Sequence, residues 1–164
     1  MLEIATHYNT IDYEVMLEYA KRADSCIKNI APKHVGNEPY NRILNNQQAR
    51  AYNLIDFSQH GLGNLTTAKL FYEKSLQRFE LNDDLKRQAS SLNNLGYLLN
   101  DMSKTEEAIR YYQKAVEIRE KINDKIGLSN TINNIGLIYL SKKDYDFALK
   151  YFKQTLNLRT EVND

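Results

Sequence analysis

Two asparagine pairs, Asn93-Asn94 and Asn133-Asn134, are the residues of this chain best suited to touching another molecule. A carboxamide offers two N–H donors and a carbonyl acceptor, a match for the exposed backbone of an extended peptide. Asparagine is also a mediocre helix former, costing roughly 0.5–0.7 kcal/mol against alanine at an interior site. Its repeated use inside predicted helices therefore needs a reason. Peptide contact is one; tying neighbouring helices together is a second; plain solvation is a third.

Catalytic chemistry finds less support. His7, His34 and His60 fall in unlike settings and pair with no Cys, Asp or Glu at a fixed spacing. Neither an i,i+4 histidine pair nor a Cys-x-x-Cys occurs, so neither a metal site nor a cofactor is expected. Cys26 is the only cysteine, which excludes an internal disulfide. It reads as a small buried hydrophobe with nothing nearby to lower its pKa. Gly61-Leu62-Gly63 lacks the Lys-Ser/Thr and the strand of a phosphate loop, and reads as a turn. The expectation is a protein that is not an enzyme.

Composition narrows the partners. The 164 residues carry 22 Lys+Arg against 21 Asp+Glu, a net charge of +1 with both signs mixed along the chain. That argues against nucleic-acid and membrane-surface binders, which need a basic patch. The twelve tyrosines fall mostly at apolar repeat positions, which favours packing over base stacking. No apolar run approaches the roughly 18 residues of a membrane span. Met1-Leu2-Glu3-Ile4-Ala5 does not open a secretory signal. With the lone thiol, these features suit a cytoplasmic location.

What must position the asparagines is a repeat. Shifting the chain by 40 residues lays Leu92-Asn93-Asn94-Leu95-Gly96 over Ile132-Asn133-Asn134-Ile135-Gly136. Ala108 falls on Ala148, and Tyr111-Tyr112 on Tyr151-Phe152. In the other direction Asn53, Ile55, Ala68 and Phe71-Tyr72 come into register. Three copies result: 41–88, whose matched part begins at 49, then 89–128 and 129–164. Residues 12–30 match the second half of a copy, so 1–30 read as a degenerate repeat with 2–8 the tail of its first helix. The stretch 31–40, with both prolines and Gly36, reads as an inserted loop. Each copy holds two apolar stripes at helical spacing, with Asp12 and Asp144 placed as N-caps. Neither helix of a copy buries its stripe alone, so the pairs must stack. Gly96 and Gly136 mark places where a second helix comes close, with Ala108 and Ala148 small for the same reason.

These residues resemble the tetratricopeptide repeat: Leu95-Gly96, Leu99, Ala108 and Tyr112, then Ile135-Gly136, Tyr139, Ala148 and Phe152. The first copy departs, with Ile55-Asp56 for Leu-Gly. The period of 40 in place of 34, and Asn-Asp in place of the closing Pro, are similar to the longer-helix repeats of kinesin light chains, spindle-polarity adaptors and many bacterial regulators. The resemblance implies an all-α fold, a right-handed α–α superhelix of antiparallel helix pairs whose first helices line a concave face. On that face it implies a peptide-binding stripe of Asn53, Phe57, Asn93, Asn94, Tyr97, Asn133, Asn134 and Leu137. It also implies that the carboxylate grip of chaperone co-factors is missing. Lys and Arg positions of that grip hold Asn53, Phe57, Asn133 and Leu137, and only Asn94 fits.

The expected partner is therefore a protein or peptide ligand, with nucleic acid and membrane excluded for this segment. The chain begins inside a first helix and stops where a repeat closes, with no polar cap. This leads to the expectation of a fragment of a larger bacterial signalling protein, or of self-association through Leu149, Phe152 and Leu156. An oligomerisation scaffold is the competing function, and a helical RNA-binding repeat a third.

Overall fold

The computed structural model describes residues 12–34, 36 and 38–163. Among them are seven α-helices and no strand: α1 (Tyr13–Ile30), α2 (Glu38–Gly61), α3 (Leu65–Leu81), α4 (Leu85–Asp101), α5 (Thr105–Lys121), α6 (Lys125–Ser141) and α7 (Tyr145–Asn163). The expected helix tail at 2–8, and His7 with it, lies outside the described residues.

The helices from α3 onward start twenty residues apart, at Leu65, Leu85, Thr105, Lys125 and Tyr145. One turn, used five times, sets this spacing. A single residue takes a left-handed conformation at Gly63 (φ 77°), Asp83 (53°), Ser103 (60°), Asn123 (55°) and Lys143 (60°). Each closes the preceding helix with two backbone bonds, as where Asn123 N–H donates to Glu120 O at 3.1 Å and Asp124 N–H to Arg119 O at 2.9 Å. These bonds use carbonyls that a helix end otherwise leaves unpaired. The next residue then starts the following helix. Asp84 accepts from Arg87 N–H and Asp124 from Gly127 N–H, both at 3.0 Å. Asp12 and Asp144 cap as expected, accepting from Val15 N–H at 3.0 Å and Phe147 N–H at 3.4 Å.

The 31–40 stretch is less of a loop than its prolines suggested. Ala31–His34 form a 3₁₀ turn and α2 starts at Glu38. Pro39 sits in the first helical turn, where its missing N–H would have had no intrahelical partner.

Consecutive helices pack antiparallel in the pairs α2–α3, α4–α5 and α6–α7, and each pair leans on the next. The result is an all-α, α–α superhelix. The core is a chain of clusters: Ala20, Tyr52 and Ile55; then Ala68, Tyr72, Leu95 and Leu98; then Leu99, Ala108, Tyr112, Ile135 and Ile138. Each cluster spans a pair and its neighbour, so every pair depends on the adjacent one for burial. α1 is fastened to α2 by a polar contact as well, Gln48 Nε2 donating to the buried Asp24 Oδ1 at 2.9 Å.

One expectation needs correction. Cys26 is exposed, not a buried hydrophobe. The inward positions of α1 are Ala20 and Asp24, and two residues beyond Asp24 the helix has turned about 200°. At the two glycines the second helix comes close through an aromatic ring. A Cβ on Gly96 would stand 2.8 Å from the Tyr112 ring, and one on Gly136 2.8 Å from Phe152. Glycine there is the seat of an aromatic ring.

Candidate functional site

The first helices line the inside of the curve. α4 and α6 touch each other directly, whereas second helices α5 and α7 make no comparable contact. α2 and α4 are joined where the His60 and Tyr97 rings meet, centroids 5.5 Å apart, and where His60 Nε2 and Asp101 Oδ2 stand at 2.8 Å. Between these helices runs a groove.

The 40-residue register puts Phe57, Tyr97 and Leu137 at one position of successive first helices, and all three are open to solvent, at 42%, 53% and 49%. Leu54 and Leu140 widen the apolar row. Asn94 is exposed beside it.

The other asparagines divide. Asn93 Oδ1 accepts from Thr131 Oγ1 and from Asn134 Nδ2, each at 3.1 Å, and so ties α4 to α6. Asn93 Nδ2 reaches Asn94 Oδ1 only at 3.5 Å. Asn133 is half-buried. One copy earlier, the counterparts of Asn93 and Thr131 are Asn53 and Ser91, whose Oδ1 and Oγ are both buried without a hydrogen-bond partner. Asn93 and Asn134 thus form part of the joint between α4 and α6, and Asn94 is the most exposed of the five amides.

The groove has two ends of unlike charge. At one, Arg50 and Arg87 line a shallow depression with Asn53, Leu54 and Ser90. At the other, Tyr13, Phe57, His60, Gly61 and Tyr97 enclose a cleft of about 200 Å³, with Asp101 behind His60. From the sequence Gly61 reads only as part of a turn and Tyr13 has no role in a site. Their link is steric: a Cβ on Gly61 would run into the Tyr13 ring, so glycine gives the ring its seat.

Beneath the groove lies Asp56, at the register of Gly96 and Gly136. It is 1% exposed and its Oδ2 has no partner. Burial pushes its carboxyl up to about 9, against a small opposing effect of the Phe57 N–H. Burial, with a further contribution from Asp56, also drives the Tyr72 phenol upward.

Among the described residues no three His, Cys, Asp or Glu side chains converge as a metal site. No described helix is long and apolar enough to cross a membrane.

Solved structures share this architecture. BtubC from P. vanneervenii matches with a TM-score of 0.64 at 19% identity, over 93% of this chain and 75% of that one. Aspartyl phosphate phosphatase F from Bacillus subtilis matches with a TM-score of 0.80 at 20% identity, over 93% of this chain but 37% of its own. MamA gives 0.57 at 20% identity, over 98% and 86%. At these identities the likeness is one of fold. No curated protein matches the sequence. The tetratricopeptide-repeat model matches residues 47–121 and again 87–161, which together cover more than half of the sequence, and the chain therefore belongs to the tetratricopeptide-repeat family.

Proposed function

We propose that this chain is a non-catalytic interaction module that binds an extended peptide or a partner's helix in its groove, built from a degenerate copy (1–30) and repeats 41–88, 89–128 and 129–164. The observation that carries this reading is the exposed row Phe57–Tyr97–Leu137 with Asn94 beside it. Apolar side chains flanked by amides supply burial and backbone hydrogen bonding together, the two needs of a bound strand or helix. Asn93 and Asn134 contribute mainly by holding α4 against α6, with Asn53 and Asn133 half-buried beside the row. A cytoplasmic setting within a bacterial signalling protein is the context we infer. The fold shared with an aspartyl phosphate phosphatase of Bacillus subtilis supports it, without extending that activity to this chain.

A random-peptide display selection on the purified domain tests the reading, run beside Asn94→Ala/Tyr97→Ala/Leu137→Ala. Peptides sharing a motif that the folded variant fails to hold support groove binding. Enrichment indifferent to the three substitutions would sink it.

A scaffold function is the second reading, and one observation favours it. Leu149 and Leu156 of α7 are 53% and 65% exposed at the register where Ile109 and Val116 of α5 pack against the α6 cluster. Sedimentation of wild type against Leu149→Glu/Leu156→Glu decides: a dimer lost in the variant supports self-association.

A further inference from the structure

We propose that the cleft at the C-terminal end of α2 receives an arginine side chain of the bound peptide. The proposal rests on the groove reading above and names the side chain that one end of the groove selects.

The walls are aromatic. Phe57 and Tyr97 keep about half of their surface open, Tyr13 meets Phe57 edge-on at 5.7 Å and 60°, and His60 leans on Tyr97 at 5.5 Å and 53°. Open aromatic faces carry negative quadrupole density and attract a cation placed over them. Aromatic walls alone would serve an apolar side chain equally well, so charge must decide. Asp101 stands 2.8 Å behind His60, one imidazole away from the cleft, with its side chain 37% exposed. No lysine or arginine lines the cleft. The cations of the groove sit at its opposite margin: Arg50, and Arg87, which is paired with Asp84. From Arg50 to His60 is ten residues of α2, about 15 Å along the helix. The groove therefore becomes more favourable to positive charge toward this end.

Size and shape narrow the occupant. At about 200 Å³ the cleft is below the roughly 300–1,000 Å³ of small-molecule pockets and suits one side chain. A guanidinium is flat and stacks on rings, and its charge is drawn by the Asp101 carboxylate across the His60 imidazole; an ammonium does not stack. The arrangement occurs once. At the register of Phe57 and His60 the next copies hold Tyr97 with Asn100, and Leu137 with Leu140.

The test is an amide-resolved NMR titration with N-acetyl-arginine amide, and with N-acetyl-norleucine amide as the apolar probe of like length. The arginine probe should shift the amides of Phe57, His60, Gly61 and Tyr97 saturably, and bind about fivefold more tightly than norleucine. Asp101→Asn should erase that preference, and Tyr97→Ala should weaken both probes. Equal binding of the two, shifts elsewhere, or an arginine preference that survives Asp101→Asn would overturn the proposal. The display selection separates it from the groove reading. Groove-dependent peptides with no recurring arginine, beside an absent titration, defeat the cleft alone. A failed selection beside a positive titration defeats the groove and leaves the cleft as a cation site.

Discussion

Replacing Asp56 by glycine should raise the stability of the domain at pH 8 by several kcal/mol and flatten its pH dependence. In the folded protein the carboxyl holds its proton up to about pH 9, whereas the free side chain releases it near 3.8. Between those values the folded state binds one proton more than the unfolded state. A raised pKa means that stability is fully present below pH 3.8 and is lost as pH climbs toward 9. The slope is about 1.4 kcal/mol per pH unit. The interval from pH 5 to pH 8 lies wholly within the window, so the wild-type protein should lose about 4 kcal/mol across it. That is a large share of the roughly 5–15 kcal/mol that keeps a domain folded. Expressed as a melting shift it is on the order of 10 °C. Glycine costs a few tenths of a kcal/mol of helix propensity against aspartate, far less than it removes. In the 40-residue register position 56 stands to Tyr72 as Gly96 stands to Tyr112, so glycine is the residue the other copies use there. Urea unfolding followed by far-ultraviolet circular dichroism at pH 5, 6, 7 and 8, on both proteins, measures the difference. Every other titrating group is common to the two and cancels. Parallel curves, with a stability difference that does not change with pH, would refute the reasoning. So would a variant less stable than wild type at pH 8, which would mean that the carboxyl is favourably engaged.

Other substitutions separate supporting residues from contacting ones. Asn93→Ala removes the acceptor shared by Thr131 and Asn134 and should cost about 1–2 kcal/mol in urea unfolding, whereas Asn94→Ala should leave stability within about 0.5 kcal/mol and weaken peptide binding. Gly96→Leu forces a side chain into the Tyr112 ring and should cost more than about 2 kcal/mol; a neutral melt would contradict the pairing of α4 with α5. Asp84→Ala and Asp124→Ala each remove an N-cap and should lower stability by about 1 kcal/mol, with hydrogen exchange quickening in the first turns of α4 and α6. The Glu106 carboxyl is held below the usual range by Lys142 at the C-terminal end of α6, so their mutual support should be present above that range and fade as pH falls through it. A double-mutant cycle on the pair at pH 7 and pH 3 reads this, and coupling unchanged at pH 3 would contradict it.

Periodicity made most of the fold legible because a helix writes its buried face at a spacing that survives loss of identity. Leu92, Leu95 and Leu99 point the same way whatever lies between them. The place of a turn is legible at Gly61-Leu62-Gly63, but the conformation shared by all five turns is not. Asp83, Ser103, Asn123 and Lys143 share a backbone conformation and no chemistry, so a reading by residue type sees no common turn. The glycine at 96 and 136 was recognised as a close approach, but whether a helix or a ring made it depended on rotamers that spacing does not encode. Polar residues were hardest for the same reason. Asn93 and Asn94 are adjacent and identical, yet one is committed to α6 and the other is open, because 100° of helix rotation separates a seam from a surface. His60 and Asp101 are 41 residues apart, one more than the period. That single residue carries Asp101 about 100° around its helix from the register position of His60, held by Asn100, to a place beside His60 itself. A strict repeat would place equivalent residues side by side along the groove. The offset lets one copy brace a side chain of the next, and so converts a uniform stripe into a cleft with a charge behind it.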